Sequence, residues 1–136
     1  MFKTMLVEDN LSFRELMKNN LQDQFPSMNI IEATDGIEAF QKMDAHPPNL
    51  IFMDIQLPGE NGLELTRKIK ADHPDIIIII MTSHDLQEYR EAATRNKADY
   101  FYPKGSKTSE IFKLVKSILL EKGFNADGSD SERGYS

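Results

Sequence analysis

The chain has 136 residues, enough for one domain of ordinary size, with 40% hydrophobic and 28% charged residues. Its net charge of -6 argues against general nucleic-acid binding, and the absence of cysteine excludes disulfides, thiol catalysis and zinc–thiolate sites. The amino-terminal apolar run is short and broken by Glu8, and the longest run, Ile76 to Met81, is far below the ~20 residues of a membrane helix. No membrane association is expected, and the location expected is cytoplasmic.

Thr4 to Val7 read as a first strand that ends at Glu8 and Asp9. Asn10 can cap the helix that follows, with Ser12 and Glu15 placed as a capping box just inside it. Phe13, Leu16, Met17 and Leu21 then recur at helical spacing as far as about Phe25, and Pro26 stops the helix. Met28 to Ala33 read as a second strand and Asp35-Gly36 as a turn. Ile37, Phe40 and Met43 mark a short second helix, which His46-Pro47-Pro48-Asn49 breaks.

Leu50 to Met53 read as a buried strand that surfaces on Asp54, with a Pro58-Gly59 turn beyond. Asn61-Gly62 leads into a third helix marked by Leu65 and Ile69, ended by Pro74. The fourth strand, Ile76 to Met81, holds five consecutive isoleucines. With no alternation, it belongs in a parallel sheet covered on both faces. Asp85 is placed as the N-cap of a fourth helix from about Leu86 to Asn96, whose apolar face (Leu86, Tyr89, Ala92, Ala93) is weak. Asp99 to Tyr102 read as a fifth strand, with Tyr100 and Tyr102 facing away from Phe101. A fifth helix runs from about Thr108 to Leu120, with Ile111, Leu114, Val115, Ile118 and Leu119 on one face.

Five βα units in strict alternation imply an α/β fold with a doubly wound, five-stranded parallel sheet of order 2-1-3-4-5, flavodoxin-like. The expected domain covers residues 1–122, and 123–136 read as a flexible Gly, Ser and Asp-rich C-terminal tail.

In such sheets ligands bind at the carboxyl ends of the strands. There the chain places Glu8 and Asp9, then Asp54, then Thr82 and Ser83, then Lys104. Three carboxylates at close range repel one another unless a cation or proton intervenes. The candidate ligands are all hard oxygens, which selects Mg²⁺. A site with Mg²⁺, Lys104 and a hydroxyl beside a carboxylate suits a phosphoryl group, and the carboxylate can itself be the nucleophile. Asp54 is the best candidate, standing on the central strand between the acidic pair and Lys104.

These residues carry a family resemblance. Leu6-Val7-Glu8-Asp9-Asn10, Met53-Asp54 through Asn61-Gly62, Ile80-Met81-Thr82-Ser83 and Ala98-Asp99 through Pro103-Lys104 occur in order at the right strand ends. The chain resembles the receiver domain of two-component response regulators over about Lys3 to Leu120. The resemblance implies Asp54 as phospho-acceptor and Glu8 and Asp9 as the Mg²⁺ pair. It implies the Gln56 backbone carbonyl as a further metal ligand, and Lys104 as the cation beside the phosphoryl group. Thr82 and Phe101 match the switch positions.

The implied partners are a sensor histidine kinase or phosphotransfer protein and a downstream effector protein or domain. The implied output face is helix four, strand five and helix five. A homodimer through helix five or its neighbouring face is left open. On this reading the chain is a switch and not an enzyme, promoting only its own phosphorylation and dephosphorylation.

Two departures stand out: Phe101 has no hydroxyl where the family often has Tyr, and Pro103 precedes Lys104 where a proline often follows it. A phosphorylation-independent interaction scaffold is the alternative. A flavin carrier is disfavoured, because Glu8 and Asp9 would repel the flavin phosphate. An aspartate-nucleophile phosphatase commonly has a second Asp where this chain has Gln56.

Overall fold

The computed structural model describes residues 1–131. Five strands and five helices alternate along the chain: β1 (Lys3–Val7), α1 (Leu11–Gln24), β2 (Asn29–Ala33), α2 (Gly36–Ala45), β3 (Leu50–Asp54), α3 (Gly62–Asp72), β4 (Ile77–Thr82), α4 (Gln87–Arg95), β5 (Tyr100–Pro103) and α5 (Thr108–Glu121). All strand pairs are parallel and the order is β2-β1-β3-β4-β5, as the alternation predicts. The switch in strand order falls between β1 and β3, which opens a crevice at their carboxyl ends.

Strand residues alternate between two cores. Leu6, Phe52, Ile79, Met81 and Tyr102 pack with Met17 and Leu21 of α1 and with Ile111, Val115, Ile118 and Leu119 of α5. Met5, Val7, Ile51, Met53, Ile78 and Ile80 pack with Ala39 and Met43 of α2, Leu65 and Ile69 of α3, and Ala93 of α4. Phe101 lies against this second core and Tyr102 in the first, the opposition that strand alternation requires. The isoleucine strand is buried on both faces, since Ile78, Ile79 and Ile80 are all fully covered.

Asn10 caps α1 by accepting from the Phe13 N–H, Asp35 caps α2 and Asn61 caps α3. Asp85 does not cap α4. The N-cap is Leu86, with no side-chain hydrogen bond, and Asp85 instead accepts from Arg90 Nε at 2.7 Å. The Arg90 guanidinium outcompetes the helix N–H groups for that carboxylate, a charge-assisted bond against neutral ones.

Gly123, with φ at +85°, carries the chain off α5. The segment read as a tail from residue 123 packs back on the domain as far as it is described. Phe124 meets Phe2 edge to face at 5.1 Å, and the N-terminal ammonium pairs with Asp130 at 2.9 Å. Residues 132–136 of that expected tail lie outside the described residues. Among the described residues no helix is long and apolar enough to cross a membrane.

Candidate functional site

The carboxyl ends of β1, β3, β4 and β5 bring the charged residues to one rim. Parallel pairing sets Val7 beside Met53 and Asp54 beside Met81, so Glu8, Asp54 and Thr82 emerge side by side as their strands run out. Thr82 pairs with Pro103, which delivers Lys104 to the same rim. Carboxylate oxygens of Glu8, Asp9 and Asp54 lie within 4.8 Å of one another. Glu8 is 1% exposed and Asp54 4%, while Asp9 stands in solvent.

Lys104 Nζ reaches into this group, 2.5 Å from Glu8 Oε1 and 3.5 Å from Asp54 Oδ1. The first contact is an ion pair without hydrogen-bond geometry, and it leaves Glu8 Oε1 buried with no hydrogen-bond partner. The other oxygen, Glu8 Oε2, accepts from the Asn10 N–H at 3.1 Å. The underside of Lys104 rests on the Phe13 ring, 4.6 Å from its centroid.

Lys104 pairs with two of the three carboxylates, and the Asp54 carboxyl registers the shortfall. Its carboxyl is pushed from 3.8 up to about 7, first by burial and then by the Glu8 carboxylate beside it. The Lys104 charge and the Gln56 N–H act against that rise and do not cancel it. The cluster therefore has fewer positive than negative charges, offers only hard oxygens, and buries one carboxylate oxygen whose sole contact of this kind is the Lys104 ion pair. These features fit a small divalent cation such as Mg²⁺.

Gln56 sits just past Asp54 with its side chain exposed and its N–H directed at the Asp54 carboxylate. Thr82 is buried, and its Oγ1 accepts from the His84 N–H at 3.1 Å. That bond leaves the hydroxyl proton free to be donated. Phe101 is half-buried on β5, with the Arg90 guanidinium 4.7 Å above its ring. Gly62 lets the loop after β3 close over the site. A Cβ there would stand 1.9 Å from the Asp54 carbonyl oxygen.

Three residues at the site escaped the reading of the sequence. Phe13 counted only as core, Arg14 was passed over, and Glu32 lay inside an apolar strand. Arg14 Nη1 donates to the Glu8 carbonyl at 2.7 Å, and its Nε donates to Glu32 at 3.0 Å. Burial pushes the Glu32 carboxyl up, but hydrogen bonds from Lys18 and Arg14 outweigh it and hold the group below its ordinary range. A charged residue within an otherwise apolar strand, facing a basic helix turn, was the available signal.

A family model of the response regulator receiver domain matches residues 4–116. The chain belongs to this family. Relatives include the oxygen regulatory protein NreC of Staphylococcus carnosus (strain TM300), 36% identical over 101 residues, which are 73% of this chain and 45% of that protein. Another is the response regulator MprA of Mycobacterium leprae (strain TN), 26% identical over 86% of this chain and 50% of its own length. The receiver spans about half the length of the curated relatives it matches. Among solved structures, the response regulator TrrA of Thermotoga maritima, in complex with Mg²⁺ and BeF, is 31% identical. It has a TM-score of 0.78, over 88% of this receiver and 100% of that chain. A signal receiver domain from Colwellia psychrerythraea 34H, 20% identical over 88% of this chain and 99% of its own, shares the fold at a TM-score of 0.84.

Proposed function

We propose that this receiver takes a phosphoryl group onto Asp54 in a Mg²⁺-dependent reaction and relays that change to a partner. The observation that carries the reading is a buried carboxylate at the centre of the rim, with one lysine and two further acids within reach. The donor is the phosphohistidine of a sensor histidine kinase or phosphotransfer protein, or a small acyl phosphate.

An Asp54 carboxylate oxygen attacks phosphorus in line with the leaving nitrogen. The P–N bond breaks with its electron pair going to the imidazole, and a P–O bond forms to give an acyl phosphate. Lys104, already held between Glu8 and Asp54, favours the ionised nucleophile and meets the phosphoryl oxygens as they arrive. Asp9, Asp54, Glu8 and the Gln56 carbonyl would hold Mg²⁺, which when bound would supply the positive charge that the three carboxylates lack. The Thr82 hydroxyl donates a hydrogen bond to a phosphoryl oxygen, which draws the loop after β4 towards the site.

The α4 helix is suited to move. Only Ala93 of it is buried, and its N-terminus has no side-chain cap. Phe101 then reports by packing, since it has no hydroxyl to bond. The face made by α4, β5 and α5 is the output surface, for a downstream effector protein or domain. The chain promotes only its own phosphorylation and dephosphorylation, and works in the cytoplasm.

The test is intact-mass analysis after incubation with acetyl phosphate, with and without Mg²⁺, on wild type and Asp54→Asn. One phosphoryl group is expected on the wild type only, and only with Mg²⁺. Labelling that persists in Asp54→Asn would refute the assignment. No labelling of the wild type would leave the phosphorylation-independent scaffold.

A further inference from the structure

We propose that Arg14 is a positioning residue for the cation site, acting through the peptide that joins Glu8 to Asp9 and anchored by Glu32. The inference rests on the reading of Glu8, Asp9 and Asp54 as a Mg²⁺ site.

Arg14 lies in the first turn of α1, yet its side chain is only 12% exposed. A guanidinium with no task at that position would point into water. Here it is folded under the loop, with Nη1 on the Glu8 carbonyl at 2.7 Å and Nε on Glu32 Oε1 at 3.0 Å. Glu32 is itself fixed. It lies on β2 in register with Leu6 of β1, and its second oxygen takes Lys18 Nζ at 3.2 Å.

The geometric consequence follows from peptide planarity. The Glu8 carbonyl and the Asp9 N–H share one rigid plane. Arg14 holds one edge of that plane. The strand ladder holds the preceding peptide, since the Glu8 N–H donates to the Ala33 carbonyl at 3.0 Å. Glu8 Oε2 in turn accepts from the Asn10 N–H at 3.1 Å, which holds the peptide after Asp9, and with all three peptides held the directions in which the Glu8 and Asp9 side chains leave the backbone are set. Asp9 is exposed, so little packing constrains its side chain. Its aim at the site depends on the backbone beneath it.

A guanidinium beside a cation site also has an electrostatic effect of opposite sign, because it repels the incoming cation. Glu32 supplies a countercharge that Arg14 shares with Lys18, so the repulsion is reduced and not abolished. The two effects make opposite predictions for Arg14→Ala. Loss of a mere charge tightens Mg²⁺ binding, and loss of a positioning bond weakens it.

The experiment titrates MgCl₂ into the ¹⁵N-labelled full chain, without a phosphoryl donor, and follows the amides of Asp9, Ile55 and Gln56. Wild type is compared with Arg14→Ala, Arg14→Lys and Glu32→Gln, and Tm is measured for each. Arg14→Ala is expected to raise the Mg²⁺ Kd roughly tenfold, as removing such supporting partners does in other metal sites. Arg14→Lys should recover part of the affinity, since one ammonium can still reach the Glu8 carbonyl. Glu32→Gln should weaken binding to a smaller degree.

A Tm loss with an unchanged or tighter Kd in Arg14→Ala would overturn the proposal. Should that variant fail to fold, unchanged Kd values in both Arg14→Lys and Glu32→Gln would overturn it equally. A wild type that shows no Mg²⁺ response refutes the cation site itself, a result distinct from either.

Discussion

Raising the pH towards neutrality is expected to weaken the metal-free fold, and Asp54 is the group responsible. Unfolded, its carboxyl loses a proton near 3.8; folded, it keeps that proton to about 7. Between those values the folded state binds one more proton than the unfolded chain, so stability falls as pH rises. The stabilisation is fully present below the unfolded value and gone above the folded one. The slope reaches about 1.4 kcal/mol per pH unit, which caps the whole effect at ~4 kcal/mol. Urea unfolding followed by circular dichroism, in EDTA from about pH 5.5 to about pH 8.5, covers roughly half of it, ~2 kcal/mol. Asp54→Asn cannot ionise, so the difference between the two proteins isolates this one group. At the alkaline end Asp54→Asn should be the more stable protein, and added Mg²⁺ should raise the wild type more than the variant. A wild-type-minus-variant difference that stays flat or rises with pH would refute the reasoning.

Further expectations concern the neighbours of that carboxylate and the end of the domain. Lys104→Met removes the cation that stands 3.5 Å from Asp54. It should lower stability by about 3 kcal/mol at about pH 8 and shift the midpoint of the pH profile upwards. Gly62→Ala forces a methyl group to 1.9 Å from the Asp54 carbonyl oxygen. The loop must move, and thermal unfolding should show a loss of about 2–4 kcal/mol together with slower labelling by acetyl phosphate. Phe124→Ala breaks the edge-to-face contact with the fully buried Phe2. A cost of about 1–3 kcal/mol in urea unfolding would place Phe124 inside the folding unit, whereas no cost would end that unit at α5.

The order of strands was legible in the chain because βα alternation and right-handed crossovers leave few arrangements. The rim was legible for a related reason. Each of Glu8, Asp54, Thr82 and Lys104 follows an apolar run directly, so the topology alone gathers them. Caps that depend on a backbone N–H three residues on, at Asn10 and Asn61, were partly readable; Asn10 was identified, and Asn61 only as an entry to α3. Asp85 was misread because a competing guanidinium five residues later decides its partner, and local spacing does not contain that competition. Arg14 and Phe13 were invisible as site residues for the same reason. Their roles exist only once α1 lies across the end of β1 and Lys104 arrives from β5. The packing of Phe124 on Phe2 joins positions at opposite ends of the chain, and composition suggested only a tail.

The isoleucine strand has one more consequence. A strand normally records its own alignment, because slipping by one residue exchanges a buried face for a different one. Along β4 the exchange would put isoleucine where isoleucine already was, so the run is a ruler without graduations. Its position must be set by stops at the two ends. At the entry, Asp99 Oδ2 accepts from the Ile78 N–H at 2.8 Å and from Lys70 Nζ at 3.0 Å, and Lys70 also binds the Ile76 carbonyl. At the exit, the Thr82 carbonyl takes the Lys104 N–H at 2.8 Å. Asp99 and Lys70 stand at the far edge of the sheet from Asp54. They nevertheless help determine that Met81 pairs with Asp54, and hence that Thr82 leaves β4 one residue beyond the acid.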